Sequence, residues 1–144
     1  MAGALMTFTY VRVPEGPFTK VIADWTSDSA TGAVTGTTGN VICGELVKSI
    51  TDPGAAAPTD DYDITITDEE GANVLTPCQL TLADRDTATI EQRYHLILDA
   101  AGTPLAQARH PVVCDRLTIA IANAGNSKTG QLVLFIKGVA HGNE

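Results

Sequence analysis

Aromatic residues are scarce in this chain: three Phe, three Tyr and one Trp, 5% of its 144 residues. Few rings are left to stack on a sugar, which weighs against a carbohydrate-binding groove. Basic residues are also few. Nine Lys and Arg stand against 17 Asp and Glu, a net charge of −8, and they are scattered singly from Arg12 to Lys137. Nucleic-acid binding needs clustered cations that displace counterions, so no nucleic-acid partner is expected. The apolar runs fall far short of the ~20 residues of a membrane helix, so no membrane partner is expected either. Cysteine is sparse and unpatterned. Cys43, Cys78 and Cys114 form no Cys-x-x-Cys pair and no zinc spacing with His95, His110 or His141. An odd count without a secretion signal predicts reduced thiols in a cytoplasmic setting, each a small buried hydrophobe.

What the chain does have is turn and strand chemistry, with 13 Gly, 7 Pro and many Thr and Asp. Its length suits one domain, which buries about two-thirds of its unfolded surface without a metal or disulfide staple. The plainest stretch runs from Asp52 to Leu75. Asp52-Pro53-Gly54 is a turn tripeptide, Pro fixing φ at one central position and Gly accepting positive φ at the next. Tyr62, Ile64 and Ile66 then alternate with Asp63, Thr65 and Thr67, the period of a half-buried antiparallel strand. Glu70-Gly71 turns the chain, and Val74-Leu75 return it to the core.

The same period recurs on both sides. In residues 7–13, Phe8 and Tyr10 face one way and Thr7, Thr9, Val11 and Val13 the other, until Pro14-Glu15-Gly16-Pro17 ends the strand. Val21, Ala23 and Trp25 share a face opposite Lys20, Ile22 and Asp24, which makes the lone Trp a core anchor. Residues 26–40 form a Gly- and Ser/Thr-rich loop with a short strand around Val34. Residues 41–51 form a long strand, with Val41, Cys43 and Glu45 opposite Ile42, Gly44 and Leu46, and Gly44 as a bulge. Leu80 to Leu82 begins another element, and Asp84-Arg85-Asp86 marks a corner. Residues 87–100 fit a strand better than a helix, with Tyr94 and Leu96 in the core and His95 towards solvent. Residues 101–104 turn the chain, and Leu105 to Arg109 makes a short element. Leu117, Ile119 and Ile121 alternate with Thr118, Ala120 and Ala122. Leu132 to Lys137 is apolar on both faces, as in a central or interface strand. About eight strands at this spacing predict an all-β fold, an antiparallel β-sandwich or jelly roll. Residues 1–13 form an N-terminal arm or first strand, and 14–144 a single sandwich domain.

No catalytic, cofactor-binding or metal-ligating set stands out. A hard cation wants about six to eight converging oxygens. The acids Asp60, Asp61 and Asp63 are separated from Asp68, Glu69 and Glu70 by a strand roughly 17 Å long. Asp84-x-Asp86 is a turn. Lys128-Thr129-Gly130 lacks the Ser-x-x-Lys that would make it a β-lactamase motif, and no phosphate-loop frame precedes it. No Gly-x-Ser-x-Gly elbow or triad spacing accompanies the histidines. A non-enzymatic protein without a cofactor is expected, its acidic surface suited to a basic partner.

Asp24-Trp25-Thr26, Asp52-Pro53-Gly54, Pro58 to Asp63, Asp68 to Gly71 and Asp84-Arg85-Asp86 together resemble small virion proteins from the structural-gene blocks of tailed bacteriophages. The similarity runs from about Lys20 to Gly138. It implies a β-rich building block of the particle, nearest to a cement or decoration protein on the capsid exterior. A small tail or head–tail completion protein is the rival, and a carbohydrate-binding sandwich the more distant one. The resemblance implies the major capsid protein as partner, self-association as a dimer or trimer, and a virion location after assembly in the host cytoplasm. An uncharged N-terminal arm and a doubly apolar strand suit such contacts, which places Phe8, Tyr10, Leu132 and Leu134 at a subunit or capsid contact.

Overall fold

In a computed structural model the chain is an antiparallel β-sandwich. The structure describes residues 4–12, 17–76, 78, 82, 89–98, 101 and 109–141. The corner at 84–86 and the turn and short element expected over 102–108 lie outside them. Among the described residues, nine strands follow in chain order: β1 (Leu5–Arg12), β2 (Phe18–Thr26), β3 (Val34–Thr37), β4 (Val41–Pro53), β5 (Asp63–Thr67), β6 (Glu91–Tyr94), β7 (Val112–Asp115), β8 (Thr118–Ala122) and β9 (Thr129–His141). The larger sheet is ordered β1-β2-β9-β4-β6, with β7 also on β4; the smaller is β3-β8-β5.

Side-chain alternation explains the layering. Val21, Ala23 and Trp25 from β2, Ile42 and Leu46 from β4, and Leu132, Leu134 and Ile136 from β9 form the inner face of the large sheet. They meet Val34, Ile64, Ile66, Ile119 and Ile121 from the small sheet. Tyr62 packs on Trp25 with ring centroids 5.8 Å apart. As the pattern of residues 132–137 anticipates, β9 is central, paired with β2 on one side and β4 on the other.

Three expectations are corrected. The bulge in β4 falls between Leu46 and Lys48, not at Gly44. Gly44 instead faces Gly138, both at positive φ (147° and 153°), and a Cβ on either would strike the opposite backbone. His95 is fully buried rather than solvent-facing, and Tyr94 is 50% exposed. β6 ends at Tyr94, and His95 leaves the ladder with its N–H donated to the bulge residue Val47. Burial alternates along residues 91–95 with Tyr94 outward beside Lys48, so the next residue, His95, falls on the inner side. Finally, Cys43 and Cys114 are not reduced core residues. They are direct cross-strand partners on β4 and β7, joined by a disulfide, with Cys43 half-buried and Cys114 exposed. Cys78 alone matches the expectation of a buried free thiol.

Candidate functional site

The side of the large sheet turned away from the core is only partly polar. Lys20, Ile22 and Asp24 alternate outward on β2, and Lys48, Ile50 and Asp52 do the same on β4. Between them lies β9, running antiparallel to both, with Phe135, Val133 and Gln131 on the same side. The registers align these residues into three rows across the strands: Lys20–Phe135–Lys48, Ile22–Val133–Ile50 and Asp24–Gln131–Asp52. The ammonium groups of Lys20 and Lys48 lie 5.7 and 4.6 Å from the Phe135 ring centroid. Lys48 also lies 5.4 Å from that of Tyr94. Gln131 Nε2 donates to Asp24 Oδ1 at 2.8 Å. Beside the lysine row, Phe18, Val47, Lys48, Tyr94 and Phe135 line a shallow apolar depression of about 270 Å³. The Lys-x-Ile-x-Asp pattern occurs in the sequence at both Lys20 and Lys48. Only the pairing with β9 shows that the two copies are in step.

The residues expected at a contact are placed differently. Leu132 and Leu134 are wholly buried, so they hold the sandwich together and offer nothing to a partner. Because β9 is central, the outward residues of its apolar run are Val133 and Phe135, both half-buried. Phe8 and Tyr10 point inward from β1 and pack against the core, with the Tyr10 hydroxyl accepting the Gly39 N–H at 3.0 Å. On the edge strand itself, the outward positions are Leu5, Thr7, Thr9 and Val11.

The acidic turn gains a member that the sequence did not suggest. Asp68, Glu70 and Asp115 each bring a carboxylate oxygen within 4.8 Å of the others. Hydrogen bonding to Asp115, then its negative charge, holds the exposed Glu70 carboxyl above its ordinary range. Asp68 Oδ1 accepts the N–H groups of Glu70 (3.0 Å) and Ala72 (2.9 Å), and Glu69 Oε1 accepts that of Arg116 (3.0 Å). This is an exposed, internally hydrogen-bonded turn. Asp63 sits at the other end of β5 and accepts from Asn123 Nδ2 at 2.9 Å.

His95 and His110 are hydrogen-bonded within the fold, and the Cys78 thiol is buried. His95 Nε2 lies 2.8 Å from Ser49 Oγ in the core, and His110 Nδ1 lies 2.8 Å from the His95 carbonyl. Burial pushes the Cys78 thiol up, away from the thiolate a nucleophile needs. Thr129 closes the turn at Gly54, its N–H donated to the Ala56 carbonyl at 2.8 Å.

Fold and surface together define an antiparallel β-sandwich with an amphipathic outer sheet face. No protein-family model matches the chain, and no curated protein matches it. Among solved structures, a chain of infectious bursal disease virus, Gx strain, aligns with a TM-score of 0.33 and 13% identity, over 98% of this chain and 32% of that one. The chain thus spans about a third of that protein's length.

Proposed function

We propose that this chain is a non-enzymatic structural subunit of a tailed-phage virion, a decoration protein bound to the major capsid protein on the outside of the head. The resemblance carried by its turns suggests the particle, and one structural observation supports attachment by surface. β1 lies at an edge of the large sheet and carries no charge from Leu5 to Val11. Its register with β2 runs unbroken from Leu5↔Thr26 to Arg12↔Thr19. Among the described residues no strand pairs with its other side. Natural edge strands are usually shortened, bulged or charged to prevent strand addition. An unbulged edge that is uncharged from Leu5 to Val11 suits a protein that pairs with another chain.

Co-sedimentation with phage heads stripped of this protein tests the reading. Saturable binding is expected, and it weakens when Thr7 and Thr9, both exposed on β1, are changed to Lys. Failure of the unaltered chain to bind heads, with binding to isolated tails instead, would move it to the tail. Failure to bind either would remove the virion role.

A further inference from the structure

The three rows on the outer sheet face are self-complementary, and we propose that this face pairs with the same face of a second copy about a two-fold axis. The axis runs across the strands along the row Ile22–Val133–Ile50. Rotation about it turns the lysine row of one copy onto the aspartate row of the other. Lys20 then faces Asp24 of the second copy, and Lys48 faces its Asp52. Phe135 covers its Gln131, and the three apolar residues of the middle row meet their own equivalents. Every one of these oppositions follows from the registers Lys20↔Phe135↔Lys48, Ile22↔Val133↔Ile50 and Asp24↔Gln131↔Asp52.

Physical chemistry favours a second copy over an unrelated partner. A generic basic or acidic protein would satisfy one charged row and oppose the other; a rotated copy satisfies both. Within one chain the lysines rest over Phe135, and among the described residues neither is ion-paired. Ile22, Ile50, Val133 and Phe135 are each half-buried, which leaves apolar surface to remove from water. Two sheets packed face to face keep their strands within about 30° of alignment, and the rotated copy meets this with its strands antiparallel. Five strands and the neighbouring rows make a patch roughly 20–25 Å on a side, or about 500 Å² per copy. The total of about 1,000 Å² lies at the lower limit for a specific interface, so the dimer should be weak, with a dissociation constant on the order of micromolar. The pairing is isologous and closes at two copies. It does not rest on the virion role, since it is read in purified protein without heads, and either claim can fail alone.

Sedimentation equilibrium of the full chain from low micromolar to near-millimolar concentration provides the test. A monomer–dimer equilibrium is expected. Lys20→Asp with Lys48→Asp should weaken it about tenfold or more, and so should Asp24→Lys with Asp52→Lys. An equimolar mixture of the two variants should restore dimer mass, because every facing pair is then of opposite sign. Should a charge variant fail to fold, Val133→Cys offers a second route. Mild oxidation should link it to a second copy through the axis, whereas Thr65→Cys, exposed on the small sheet, should stay unlinked. A chain that remains monomeric throughout, dimers indifferent to both reversals, or linkage through Thr65 but not Val133 would each overturn the proposal.

Discussion

Gly130 stands directly opposite Trp25 across the β2–β9 ladder, and the indole covers the space a side chain at Gly130 would occupy. A Cβ there would come within 2.5 Å of the ring. The indole cannot retreat easily, because Tyr62 packs on it and it is only 3% exposed. Gly130→Ala should therefore cost about 1–3 kcal/mol by overpacking. The lone Trp makes the measurement simple: urea unfolding followed by its fluorescence should show a lower midpoint with an unchanged slope.

The Cys43–Cys114 bridge fixes β7 to β4 just before the chain crosses from the large sheet to β8 in the small one. It joins positions 71 residues apart. Closing a loop of that length stabilises by about 4 kcal/mol on the chain-entropy model. Reduction, or Cys43→Ser with Cys114→Ser, should then lower the melting temperature by roughly 10 °C. Alkylation under denaturing conditions should find one reactive thiol in the oxidised chain, Cys78, and three after reduction.

The acidic turn predicts a pH dependence of definite sign. Glu70 holds its proton to higher pH in the folded chain than in the unfolded one. The stability it contributes is fully present below the unfolded pKa and is lost as pH rises through the folded value. Asp115→Asn removes the negative charge that opposes ionised Glu70 while keeping an oxygen for the Glu69 N–H. Its melting temperature should exceed that of the unaltered chain at neutral pH, and the gain should vanish in acid. The effect should be small because the group is exposed.

Much of the sandwich was legible because its strands alternate cleanly. Tyr62, Ile64 and Ile66 are buried, as their period requires, and so are Val21, Ala23 and Trp25. The apolar run in β9 gave a central strand, but its faces needed the ladder: Leu132 and Leu134 turn inward, Val133 and Phe135 outward. Features set by pairing between distant strands were not legible. Cys43 meets Cys114 only because β7 folds back onto β4, and Asp115 joins the acidic turn by the same return. Apolar Tyr94 and Leu96 on either side of His95 suggest the opposite phase, and only the pairing of Tyr94 with the outward Lys48 shows that His95 is the inner residue. Both Lys-x-Ile-x-Asp segments are visible in the sequence, but each alone is an ordinary half-exposed strand. Their shared register on β9 makes them one surface.

The proposed role is attachment by surface fit within a virus particle. Electron cryomicroscopy of the purified phage, with mass spectrometry of the same particles, tests that most directly. Density for this two-sheet sandwich should recur at symmetry-related positions on the outside of the head. Particles from which the chain is absent by both measurements would contradict the account.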